Sequence, residues 1–140
     1  MGNPFCHVEL NTDDVASAKK FYKQVFDWKL RDMPGDMAYT MIEVGKGLGG
    51  GMMKKPMPEA PTMWLSYVEV ASVKKTIAKA QAAGATIMAP YVPIGDMGAI
   101  GVFVDPTGAA LGVWEKGKPA KKPAAKKAAK KPAKKAKKKR

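Results

Sequence analysis

Polar and apolar positions alternate at the start of the chain. From Phe5 to Asn11, Phe5, His7, Glu9 and Asn11 fall on one face of a strand, and Cys6, Val8 and Leu10 on the other. The second face is apolar and needs a covering helix. The first is mixed, which suits a cavity or solvent. The period then changes from two to about 3.6. From Asp14 to Phe26, Val15, Ala18, Tyr22, Val25 and Phe26 recur at helical spacing, with Lys19, Lys20 and Lys23 off the stripe. Thr12 or Asp13 is the expected N-cap. Strands are expected over Trp28–Asp32 and Met37–Val44, separated by Pro34-Gly35, and in a glycine-rich segment near Gly49–Lys54. Pro56, Pro58 and Pro61 mark a linker.

The same succession follows again. Trp64–Val70 reads as a strand, and Ser72 as the N-cap of a helix with Val73, Ile77, Ala80 and Ala83 as its apolar stripe. Gly84 stands where a helix C-terminal glycine belongs. Thr86–Met88, Ala99–Val104 and Ala110–Glu115 read as strands, and Asp105-Pro106-Thr107-Gly108 as the turn between the last two. Laid over each other, Leu10 matches Val68, Val15 matches Val73, Gly47 matches Gly108 and Gly51 matches Gly112. Two βαβββ units would each give a curved half-sheet with a helix on one face. Joined, they would form one concave surface able to hold a small molecule.

Charge separates a tail from this domain. Fourteen of the 25 Lys and Arg residues lie from Lys116 onward, with no acid among them. Residues 1–115 hold the other 11 against all 12 acids, a net charge of −1. The domain is therefore placed at 1–116 and the tail at 117–140. The tail contains only Lys, Arg, Ala, Pro and Gly, so it has nothing with which to build a core and is expected to be disordered. A flexible polycation binds nucleic-acid phosphates by counterion release, without reading bases. The expected contacts are Lys121, Lys122, Lys126, Lys127, Lys130, Lys131, Lys134, Lys135, Lys137, Lys138, Lys139 and Arg140. No aromatic residue interrupts the lysines, so base stacking is not expected. A solubilising role is the plainer alternative. The tail resembles those of linker histones and of bacterial lysine-, alanine- and proline-rich histone-like proteins.

Cys6 is the only cysteine, which precludes an intrachain disulfide and agrees with a reducing compartment. The start, MGNPFCHVEL, has no charged segment leading into an apolar one, and no apolar run reaches membrane-spanning length. A cytoplasmic location, with the nucleoid as a second address, is the expectation.

The element order, with His7-Val8-Glu9-Leu10 at its start and Asp105-Pro106-Thr107-Gly108 before the last strand, resembles the vicinal oxygen chelate superfamily. This group contains glyoxalases, extradiol dioxygenases and bleomycin- and fosfomycin-resistance proteins. Ala18-Lys19-Lys20-Phe21-Tyr22, Val25-Phe26-Asp27-Trp28 and Leu111–Trp114 add to the likeness, which covers roughly residues 3–116 and is greatest for the glyoxalase-like branch. The resemblance implies an α+β fold of two βαβββ units around a cavity, and a homodimer. It also implies up to four metal-ligand positions, on the first and last strands of each unit. Here they hold His7, about Leu65, about Gly51 and about Gly112. One of the four carries a donor, and Glu9 on the same strand face adds a second. A catalytic zinc takes about three protein ligands, so no metal and no other cofactor is expected.

His7, Glu9, Tyr67 and Trp114 are the expected ligand-binding residues. Glu9 is either a desolvated general base or a paired strand carboxylate, and Tyr67 and Trp114 either stack on a ligand or fill the cup. Met52, Met53 and Met63 are expected as apolar lining. Phe21, Tyr22, Phe26 and Trp28 are expected to pack, and Cys6 to be buried and inert. The glycine run before Met52 lacks the Gly-Lys-Ser/Thr ending of a phosphate loop. Three functions remain open. They are a glyoxalase-like protein that binds or transforms a small molecule, a sequestering protein of the resistance type, and a nucleoid-associated protein whose domain carries the tail.

Overall fold

The computed structural model describes residues 2–34 and 38–117. Residues 118–140 of the tail, with all of its expected nucleic-acid contacts, lie outside the described residues, as do Gly35 and Met37.

The first unit runs β1 (Phe5–Thr12), α1 (Val15–Val25), β2 (Lys29–Asp32), β3 (Tyr39–Glu43) and β4 (Gly50–Lys54). The second runs β5 (Met63–Glu69), α2 (Val73–Ala82), β6 (Thr86–Pro93), β7 (Gly98–Val104) and β8 (Ala110–Lys116), with a 3-10 turn at Gly95–Met97. All eight strands form one sheet in the order β2-β3-β4-β1-β5-β8-β7-β6. Each unit's first strand pairs parallel with its last, β1 with β4 and β5 with β8, and the units meet where β1 and β5 run antiparallel. The two βαβββ units expected from the sequence are therefore present, joined into one open, curved sheet.

Both helices pack on the same side of the sheet. Leu10, Ile42 and Met52 are buried beneath α1, with Val15, Ala18, Tyr22 and Trp28 against them. Val70, Val73, Ile77 and Val113 form the matching core beneath α2. Gly101 lets α2 come close, since a Cβ there would press on Val73 and Ile77. The N-caps are Asp14, whose carboxylate accepts from Ser17 N at 3.0 Å, and Ser72, whose hydroxyl accepts from Lys75 N at 3.2 Å. Asp14 takes the place expected for Thr12 or Asp13. Gly84 ends α2 at φ +106°, where Ala85 N reaches back to Ala80 O at 2.9 Å. In the turn before β8, Gly108 adopts φ +101° and Asp105 accepts from the Thr107 and Ala109 amides.

The sequence reading needs correction at several places. β6 continues past Met88 to Pro93, through Pro90, with two register shifts against β7. It is an edge strand, where a missing N–H leaves no partner unsatisfied. Of the aromatic residues expected to pack, Tyr22 and Trp28 do, whereas Phe21 and Phe26 are exposed. α1 buries no residue completely, so its stripe covers the sheet only in part.

Candidate functional site

The face opposite the helices carries a cavity of about 240 Å³. β1 runs under it, and strand pairing fixes what stands beside each β1 side chain. His7 lies opposite Tyr67, and Glu9 lies between Gly51 of β4 and Leu65 of β5. Tyr67 in turn lies opposite Gly112 of β8. His7, Glu9, Tyr67 and Trp114 all line the cavity, as the alternation of their strands requires. Sequence reasoning missed the rest of the wall. Tyr39 and Met41 enter from β3, Ile94 and Met97 from the segment around the 3-10 turn, and Ile100 from β7. The lining methionines are thus Met41 and Met97. Met52 is buried in the core on the other side of the sheet, and Met53 and Met63 are not part of the wall.

Cys6 also borders the cavity, contrary to its expected place on the apolar face. The register between β1 and β5 shifts between Phe5 and His7, and this bulge breaks the alternation on which the expectation rested. Its thiol points to the Tyr67 carbonyl at 3.6 Å. Burial and then the charge of Glu69 raise its pKa, so it stays a thiol at neutral pH.

The polar groups form one connected network. Glu9 is buried, and its Oε1 accepts from Asn11 Nδ2 and from the Tyr67 hydroxyl, each at 3.0 Å. The Tyr39 hydroxyl is 2.7 Å from His7 Nε2. Burial, followed by the charge of Glu9 and a hydrogen bond to it, pushes both phenols far above their usual range, so they remain protonated. Burial lowers the His7 pKa, and the attraction of Glu9 only partly opposes this. His7 is consequently neutral at pH 7. The Tyr39 hydroxyl and His7 Nε2 share this one hydrogen bond, with the donor set by the tautomer of the imidazole. The Trp114 indole donates to the Met97 carbonyl at 3.2 Å, which ties β8 to the 3-10 turn at the rim.

The two tyrosines cover two glycines. A Cβ on Gly51 would collide with the outer part of the Tyr39 ring, and one on Gly112 would lie 2.5 Å from the edge of the Tyr67 ring. At both last-strand positions the space for a longer side chain is filled by a phenol from the neighbouring strand. Among the described residues, no three His, Cys, Asp or Glu side chains are grouped closely enough to hold a metal ion.

The profile of the Glyoxalase/Bleomycin resistance protein/Dioxygenase superfamily matches residues 5–113. The candidate glyoxylase CFP32 of Mycobacterium bovis is 35% identical in an alignment 114 positions long that covers 77% of this chain and 44% of that protein. The chain thus spans less than half the length of that relative. Among solved structures, the hypothetical protein BH1468 of Bacillus halodurans superposes with a TM-score of 0.64 at 15% identity, over 86% of this chain and 99% of that one. The Mn(II)-bound glyoxalase of Novosphingobium aromaticivorans gives 0.55 at 14% identity, over 89% of this chain and 42% of that one. At such identities these likenesses concern the fold.

Proposed function

The chain belongs to the glyoxalase/bleomycin resistance protein/dioxygenase superfamily, and from that premise we propose that it binds a small organic molecule in its cup without a resident divalent ion. The observation that carries this reading is the pairing of each last-strand glycine with a tyrosine ring, Gly51 with Tyr39 and Gly112 with Tyr67. The residues present do not fit a metal. His7 and Glu9 offer two donors against the three or so that a catalytic zinc takes. Leu65 and the two glycines offer none. Apart from Cys6, the wall is otherwise Met41, Ile94, Met97, Ile100 and Trp114, the apolar surface that small-molecule sites use for affinity. The groups on hand for chemistry are proton-transfer groups, His7 and Glu9 as bases and the two phenols as donors.

The test is a thermal-shift screen of the full-length protein against small organic molecules, with and without a chelator. Hits should persist in the chelator and vanish in Ile100→Trp, which fills the cavity. Hits that disappear in the chelator would contradict the reading.

A second activity rests on the tail, with 14 Lys and Arg and no acid from Lys116 onward. Its chemistry supports non-specific contact with nucleic-acid phosphates. If about eight charges engage a duplex, log affinity should fall with log salt at a slope of about −7. Deleting residues 117–140 should abolish retention on DNA. Equal retention by both forms would remove the tail from the account.

A further inference from the structure

The electrostatics of the cup point to a class of ligand, on the reading that the cup is a ligand site. Among the described residues, no Lys or Arg lines it. With His7 neutral and the phenols protonated, Glu9 is the one charged side chain in the wall. It is buried, so its field is screened far less than that of a surface carboxylate. Asn11 and Tyr67 fix its position by donating to the same oxygen, Oε1.

Three aromatic side chains, Tyr39, Tyr67 and Trp114, complete the wall around this carboxylate. Their polar atoms are engaged within the protein. Tyr67 donates to Glu9, Tyr39 contacts His7, and Trp114 donates to the Met97 carbonyl. The rings therefore offer the cavity carbon and π surface. Aromatic faces carry partial negative charge and attract cations, more strongly where water is excluded. A buried carboxylate beside aromatic walls, with no Lys or Arg in the wall and an uncharged imidazole at His7, favours positive charge. An anion would meet Glu9 in a poorly hydrated space with nothing to compensate it. A neutral molecule would fit the volume but gain nothing from the charge.

We infer that the cup takes an organic cation, a protonated or quaternary amine on a small apolar body, with its charge against Glu9 and the rings of Tyr39, Tyr67 and Trp114. About 240 Å³ accommodates one ring and an ammonium group. The apolar body would lie toward Ile94, Met97 and Ile100.

Three probes that share a ring and differ in charge test this: phenethylamine, 2-phenylethanol and phenylacetate. Each is titrated into the full-length protein by calorimetry, and only binding lost in Ile100→Trp is scored, which sets aside phenylacetate held by the lysine tail. Phenethylamine should bind about tenfold more tightly than the alcohol, and phenylacetate most weakly. Glu9→Gln should bring the amine and the alcohol to similar affinities. The charge series in the unmodified protein stands even if that variant fails to fold. The alcohol or phenylacetate equalling the amine would overturn the cation assignment and leave the cup as a site. Failure of all three probes to bind at millimolar concentration would overturn both.

Discussion

Tyr67 is held from three sides. Its hydroxyl donates to Glu9, its ring edge covers Gly112, and the His7 ring meets it edge-on at a centroid distance of 5.8 Å. Gly112→Ala would overpack this contact and should cost about 1–3 kcal/mol in urea denaturation. Most of that cost should disappear in a Tyr67→Leu background, since the two sites share one space. His7 makes a prediction about pH. Its folded pKa lies below the ordinary 6.5, so below that value the unfolded chain binds more protons. Stability should be complete above 6.5, fall as pH drops toward the lowered folded value, and lose this slope in His7→Gln. Alternation along β1, β5 and β8 made His7, Glu9, Tyr67 and Trp114 legible from sequence as residues of one face. Tyr39 was not, because Tyr39, Met41 and Ile42 are all large and mark neither strand face as the inner one. Cys6 escaped because a bulge leaves no trace in alternation.

The two helices show how far periodicity reaches at the next scale. Both stripes and the Ser72 cap are plain in the sequence, and α2 buries Val73 and Ile77 as its spacing requires. Ser72→Ala should lower the stability of the fold by about 1 kcal/mol in thermal or urea unfolding, since it orphans the Lys75 amide. The stripe of α1 is as regular, yet Phe21 and Phe26 stay exposed, because periodicity says which residues share a face and not whether the sheet extends far enough to cover them. β6 extends beyond Met88 through Pro90 to Pro93, because at a sheet edge a proline costs no ladder bond. The 3-10 turn that delivers Met97 to the cup had no apolar period to announce it.

Over the whole molecule, the repeat was readable from element order alone. Antiparallel pairing of β1 and β5 then crosses the two halves' equivalents: His7 faces Tyr67, the counterpart of Glu9, and Glu9 faces Leu65, the counterpart of His7. The site is thus a product of the symmetry axis, and the symmetry is broken there. One half contributes an imidazole and a carboxylate, the other a leucine and a phenol, and the glycines at both last-strand positions receive tyrosine rings. The superfamily resemblance located these positions in the sequence. That phenols fill them depends on contacts between strands far apart in the chain, which the sequence does not display. Metal analysis of the purified full-length protein beside His7→Ala tests this account most directly. It predicts far less than one divalent ion per chain in both. One tightly held ion per chain, lost in His7→Ala, would contradict it.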